Sequence, residues 1–308
     1  MTQSTLAFVF PGQGSQKVGM LAEMAEAFPV VAQTFTEASD ALGYDMWDLI
    51  QNGEQEQLNL TEKTQPILLT ASVALWRVWQ QQGGKQPALM AGHSLGEFSA
   101  LVCADSLSFS DAVTLVRDRG QFMQTAVPVG EGAMAAVIGL DDDKIVEICN
   151  STGAEAVNFN SPGQVVIAGN VAAVDLAIEQ LKAAGAKRAL PLPVSAPFHT
   201  SLMRPAGEKL AVKVAELKVS SPTIPVVHNV HAQTENDPEQ IKALLVKQIY
   251  SPVNWVGCMQ TMLQAGVETT LECGPGKVLS GLGRRIHKPL TVFNIDEPAG
   301  LEKAINEV

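Results

Sequence analysis

Ala88-Leu89-Met90-Ala91-Gly92-His93-Ser94-Leu95-Gly96-Glu97-Phe98-Ser99-Ala100 is the stretch whose reading decides the fold. Four apolar residues read as a short buried strand, residues 92–96 fit GxSxG, and helix-forming residues run on to Ala104. A serine held between a strand and a helix is the arrangement of a nucleophile elbow. The glycines fit because side chains would collide in so tight a turn. A chain of this length and composition contains about 0.1 such matches by chance, so the flanking elements carry the reading, not the pattern. The bland alternative is a glycine-bounded turn with an idle serine.

Outward from this stretch the chain alternates strands and helices. The apolar run Leu6–Phe10 reads as a buried strand that ends in the loop Pro11-Gly12-Gln13-Gly14-Ser15-Gln16. Helical periodicity covers residues 20–39 and 66–82, with Pro66 at an early helical position and Gly83-Gly84 as the stop. Strands alternating with helices predict α/β architecture with a mainly parallel sheet. The middle has another rhythm: strand 134–140, helix 141–152, strands 156–160 and 164–168, helix 171–184, strand 187–194. That β-α-β-β-α-β order is the split pattern of a ferredoxin-like unit, inserted here into the larger one. The expected division is a large domain of residues 1–127 and 194–308 and a small domain of residues 128–193. Afterwards the pattern predicts a strand at 223–230, helices at 238–250 and 255–265, a strand at 269–273 and a helix to about Arg285.

Of the 308 residues, 46% are hydrophobic and 17% charged, which excludes overall disorder. The net charge of −11 argues against binding nucleic acid or an anionic membrane surface. The cysteines at 103, 149, 258 and 273 form no CxxC pair, as expected for reduced thiols. No basic residue precedes Lys17, and no apolar stretch approaches membrane-spanning length. We expect a soluble, cytoplasmic monomer.

A serine nucleophile needs a base, and five histidines compete. His93 leaves the turn in a different direction from its neighbour. His228 and His231 are spaced HxxH near Glu235 and Asp237, but without HExxH or a Cys/His framework they read as a polar loop. His287 stands among Arg284, Arg285 and Lys288. His199 follows a strand at the junction where the small unit rejoins the large one, facing a cleft between domains. An ordinary α/β-hydrolase places its histidine near the chain end, whereas 109 residues follow His199. The backbone N–H of Leu95 points toward a developing oxyanion, and the loop after the first strand lets Gln13 donate a second hydrogen bond. No P-loop or complete GxGxxG is present, and no metal or redox cofactor is expected.

Several segments together resemble the malonyl-CoA:acyl carrier protein transacylases of bacterial fatty-acid synthesis. They are Phe8-Val9-Phe10-Pro11-Gly12-Gln13-Gly14-Ser15-Gln16, Thr64-Gln65-Pro66, the 92–100 stretch, Arg119-Gly120 with Met123, residues 158–164 (Asn-Phe-Asn-Ser-Pro-Gly-Gln), residues 193–199 (Pro-Val-Ser-Ala-Pro-Phe-His) and residues 272–277 (Glu-Cys-Gly-Pro-Gly-Lys). They follow the family order over nearly the whole chain. The resemblance implies a hydrolase-like large domain with an inserted ferredoxin-like small one. It implies Ser94 as the nucleophile that carries malonate, His199 as base and acid, and the backbone carbonyl of Gln248 as the group orienting His199. The N–H groups of Gln13 and Leu95 would form the oxyanion hole, Arg119 would pair with the malonyl carboxylate, and Gln65 would line the same pocket. Arg117 and Arg119 point about 200° apart on a helix, so only one faces the cleft. The Arg119-Gly120 pattern favours the second. Phe98 stands where family members often have Tyr. Phe198 would fill space beside the malonyl α-carbon and disfavour methylmalonyl. The implied partners are malonyl-CoA and acyl carrier protein. A polyketide-type acyltransferase, a serine thioesterase or esterase, and a non-enzymatic carrier-binding scaffold are the alternatives. Both implied ligands are anionic, so an acidic body needs local cations; Lys182, Lys187, Arg188, Lys277, Arg284, Arg285 and Lys288 are the candidates for a basic rim.

Overall fold

The computed structural model describes residues 5–194 and 196–308; Ser195, within the segment leading to His199, and residues 1–4 lie outside them. The strands in chain order are β1 (Leu6–Phe10), β2 (Leu89–Gly92), β3 (Gly132–Ile138), β4 (Glu155–Ser161), β5 (Gln164–Asn170), β6 (Arg188–Pro191), β7 (Val226–Val227), β8 (Thr269–Glu272) and β9 (Thr291–Asn294). β1 is buried at every position, as a continuous apolar run should be in a parallel sheet covered on both faces. It is the centre of a five-stranded sheet in the order β7-β2-β1-β8-β9, with all pairings parallel. Phe10 is in register with Gly92, so the loops leaving β1 and β2 emerge side by side at the carboxyl ends of the strands. Open parallel sheets bind their ligands at that edge.

The second sheet is antiparallel, in the order β4-β5-β3-β6. With the Asp142–Thr152 and Val171–Ala183 helices it forms the ferredoxin-like unit, packed around a core of its own that includes Val137, Ile145, Val165, Ile167 and Leu181. It meets the larger unit where Phe159 N–H donates to the Val253 carbonyl (3.0 Å) and Val253 N–H donates to that of Val157 (2.8 Å).

Some elements differ from expectation, and proline explains most of them. The helix expected over 20–39 is two, Ala22–Ala27 and Pro29–Leu42. Phe28 is extended because a proline follows it, and Pro29 cannot continue the first ladder but can open the second. The helix expected from Pro66 begins at Thr61, and Pro66 sits in its second turn at the cost of one intrahelical bond. The strand expected over 187–194 is only Arg188–Pro191. The strand expected over 223–230 shrinks to two residues, because Pro222 and Pro225 lack donors and residues 228–229 turn away toward Glu97. The Phe109–Thr125 helix, capped by Ser108 Oγ accepting from Asp111 N–H, carries Arg119. All four cysteines are free and buried. Among the described residues no helix is long and apolar enough to cross a membrane.

Candidate active site

The GxSxG stretch forms the sharp turn its sequence demands. Ser94 has φ 52° and ψ −107°, a conformation that costs a non-glycine residue about 1–3 kcal/mol. A Cβ on Gly96 would lie 2.0 Å from the Phe10 carbonyl oxygen, so only glycine lets the following helix start this close to β1. Asn229 offsets the strain by clamping the turn from behind. Its Oδ1 accepts from Ser94 N–H (2.8 Å), and its Nδ2 donates to the Gly92 carbonyl (2.7 Å). Leu95 opens the Leu95–Cys103 helix, and a first-turn N–H has no intrahelical acceptor.

His199 meets the serine directly, its Nε2 lying 2.8 Å from Ser94 Oγ. Its Nδ1 donates to the backbone carbonyl of Gln248 (2.9 Å), which fixes the tautomer with Nε2 free to take the serine proton. Burial, reinforced by the nearby Arg119 cation, holds the imidazole pKa down to about 3, against the opposing pull of the Gln248 carbonyl. The imidazole is therefore neutral at ordinary pH.

Arg119 is fully buried. Nη1 donates to Gln65 Oε1 (2.7 Å), and Nη2 donates to Gln248 Oε1 (2.8 Å) and Ser94 Oγ (3.2 Å). Its guanidinium carbon lies over the Phe98 ring, 5.1 Å from the ring centroid. Among the described residues no carboxylate lies within ion-pairing distance of it, and its Nε finds no acceptor. Burial lowers its pKa to about 10, which leaves it charged at neutral pH. A buried cation held by neutral amides beside a serine hydroxyl has the chemistry to receive an anion. The choice between the two arginines is also visible, because Arg117 is half-exposed and paired with Asp118. Gly120 lets the arginine's helix approach the Thr61–Gln81 helix that carries Gln65; a Cβ there would lie 2.6 Å from the Thr61 carbonyl oxygen.

Ser94, His199, Arg119, Gln65 and Gln248 thus converge. Gln13 sits on the loop after β1, where Gly12 abuts the His93 carbonyl, and its side chain reaches Thr61 Oγ1 (3.5 Å). Phe198 is buried in the large core beside His199 in the chain. His93 does diverge from the serine: its Nε2 lies 2.7 Å from Asn160 Oδ1 on β4, and its ring packs on Trp255. The expectation of a polar loop around His228 is corrected, since that side chain is fully buried with Nδ1 2.8 Å from Glu97 Oε1. Asn229, Glu97 and the side chain of Gln248 were not foreseen as structural partners. Their one sequence signal was polar residues directly beside apolar elements.

Residues 7–289 match the family described as acyl transferase domain. Over 311 residues the chain is 59% identical to the malonyl CoA-acyl carrier protein transacylase of Salmonella typhimurium, with 100% of each chain covered. The chain belongs to the malonyl CoA-acyl carrier protein transacylase family. More distant transacylases retain the likeness, with 44% identity to that of Bacillus subtilis over 98% of this chain and 96% of that one. Among solved structures, the acyl carrier protein S-malonyltransferase of Vibrio cholerae superimposes with a TM-score of 0.96 at 56% identity, covering 97% of this chain and 99% of that one. A malonyl-transacylase solved in complex with its type II PKS acyl-carrier protein gives a TM-score of 0.97 at 53% identity, covering 98% and 99%. As a member of this transacylase family the chain is an acyltransferase.

Proposed function

We propose that the protein moves malonyl from coenzyme A to the phosphopantetheine thiol of acyl carrier protein, by a ping-pong route through an ester on Ser94. The observation that carries this is Arg119, a fully buried cation without a carboxylate partner among the described residues, which donates to the serine oxygen. In the first half-reaction His199 Nε2 takes the Ser94 proton as Oγ attacks the thioester carbonyl. The oxyanion forms against the N–H groups of Gln13 and Leu95, and the collapse expels the thiolate, which recovers the proton from His199. In the second, the carrier thiol gives its proton to His199, attacks the ester, and restores Ser94 as its hydroxyl. Throughout, Arg119 pairs with the malonyl carboxylate, and Gln65 and Gln248 hold the guanidinium in place.

This reading treats residues 1–127 with 194–308 as one domain and residues 128–193 as a second that walls the cleft. It treats the protein as a cytoplasmic monomer without metal or redox cofactor. Carrier docking falls to Lys277, Arg284, Arg285 and Lys288, exposed on and around the Val278–Ile286 helix. That helix follows Gly274, which packs against Pro11 of the loop beside the serine, and Arg285 reaches Gln164 of the small sheet. The relative solved with a type II PKS carrier favours one second reading, a polyketide carrier as acceptor; comparing transfer to both carriers separates them. For the chemistry itself, the intact protein mixed with malonyl-CoA should gain one malonyl group by mass spectrometry, and Ser94→Ala none. Steady hydrolysis of malonyl-CoA without carrier, unaffected by adding it, would refute the transferase reading.

A further inference from the structure

Glu97 lies on the helix that begins at Leu95, fully buried in an otherwise apolar stretch, and the mechanism does not use it. Its two oxygens accept three hydrogen bonds. Oε1 takes that from His228 Nδ1 (2.8 Å); Oε2 takes those from Asn229 N–H (2.9 Å) and Gln248 Nε2 (2.9 Å). The last two partners in turn hold the residues around Ser94, His199 and Arg119. Asn229 holds the backbone on both sides of His93, at Ser94 N–H and the Gly92 carbonyl. Gln248 holds the other side three ways: its carbonyl orients His199, its Oε1 receives Arg119, and its Nε2 also donates to the Ser94 carbonyl (3.0 Å). The amide of Gln248 is thus polarised between a cation on its oxygen and a carboxylate on its nitrogen, which strengthens both bonds.

We propose that Glu97 is a positioning residue that sets, through one carboxylate, both the serine turn and the histidine–arginine side of the site. The inference rests on the reading of Ser94, His199 and Arg119 given above. Glu97 touches no reacting atom. Its oxygens sit where two independent segments, residues 228–229 and the end of the Pro238–Gln248 helix, must be held in mutual register for Ser94 Oγ to meet His199 Nε2. What matters is reach. An acceptor at the position of Oε2 keeps both Asn229 and Gln248, whatever the charge behind it. A glutamine supplies that acceptor, and its NH2 faces His228 Nδ1, which can accept after a change of tautomer because His228 Nε2 has no partner to lose among the described residues. Aspartate keeps the charge but is one methylene too short to reach both segments.

The test is the rate at which malonyl-CoA and acetyl-CoA acylate Ser94 in the full chain, read by mass spectrometry, for wild type, Glu97→Gln, Glu97→Asp and Glu97→Ala. Glu97→Gln should keep the malonyl rate within about fivefold of wild type. Glu97→Asp should lose about 30-fold or more, and Glu97→Ala about 100-fold or more, on the order of the loss of one preorganising contact. In both, malonyl should lose more than acetyl, because Arg119 loosens with Gln248; a merely structural defect would lower both rates and the melting temperature together without moving their ratio. In a Gln248→Ala background Glu97→Ala should cost clearly less than in wild type, because only its bonds to Asn229 and His228 remain to be lost, and should no longer move the malonyl-to-acetyl ratio. An aspartate variant as fast as the glutamine variant, or an unchanged malonyl-to-acetyl ratio in a folded variant, overturns the proposal. If Glu97→Ala does not fold, the order of Gln and Asp decides. Wild-type protein that takes no malonyl at all refutes the functional reading instead, so the two failures are distinguishable.

Discussion

Arg119→Ala is the perturbation that most directly tests the anion receptor. The guanidinium donates to two amide oxygens and to Ser94 Oγ, so a carboxylate would add charge-assisted bonds to a group that is already partly hydrogen-bonded. A hydrogen bond to a charged group contributes about 1.5–3 kcal/mol, and the carboxylate can engage two donors in the fork. Allowing for the amide contacts weakened in exchange, a differential of about 3–4 kcal/mol is reasonable, which is roughly 200- to 1,000-fold. The substitution also leaves a cavity and frees two glutamine amides. Those costs fall on the free enzyme as much as on its acyl complexes, so the informative quantity is the ratio of kcat/KM for malonyl-CoA to that for acetyl-CoA. It should fall by about two to three orders of magnitude in Arg119→Ala, with acetyl transfer spared or improved. The assay is acylation of Ser94 by each donor in single turnover. Equal loss for both acyl groups would refute the receptor, because it would mean that Arg119 only supports the local packing.

Three further outcomes are expected. The Arg119 cation is the second cause, after burial, that depresses the His199 pKa to about 3, so its removal raises that pKa. Because protonation silences the base, the acid limb of Ser94 acetylation should begin at higher pH in Arg119→Ala than in wild type while staying below the free-imidazole value of about 6.5, and an unmoved limb in a pH–rate profile would contradict the coupling. Phe198→Ala should raise methylmalonyl relative to malonyl kcat/KM by about tenfold, the worth of a methyl-sized space in an apolar pocket; an unchanged ratio removes Phe198 from the specificity pocket. Arg284→Glu with Arg285→Glu should raise KM for the carrier by about tenfold, more at low salt than at high, while acylation by a malonyl thioester lacking the nucleotide stays constant; a carrier KM that does not move would relocate the docking surface.

What the sequence disclosed follows from which forces act locally. The buried run of β1 and the ferredoxin-like middle were legible because apolar pattern and turn residues decide them within a few positions. Boundaries near Pro29, Pro66, Pro191 and Pro225 were less so, because a proline can open, interrupt or end an element according to its surroundings. The serine turn was readable from its glycines, and Arg119 from the pattern it shares with Gly120. Glu97, His228 and Asn229 were not. Residues 97 and 228 are 131 positions apart and join only after the parallel sheet has set β2 beside β7. A carboxylate at helical spacing looks the same in sequence whether it faces water or three donors.

The carbonyl that orients His199 belongs to the last residue of the Pro238–Gln248 helix. Such a terminal carbonyl lacks an intrahelical donor and carries a share of the roughly half negative charge at that end of the helix. A triad acid concentrates a full charge in one side chain, which a single codon change can delete. Here the equivalent influence belongs to the main chain, so a substitution at position 248 removes the side-chain bonds to Glu97 and Arg119 but not the carbonyl itself. The partial charge that faces His199 therefore stays with the helix, while the contacts to Arg119 and Glu97 stay with one replaceable side chain.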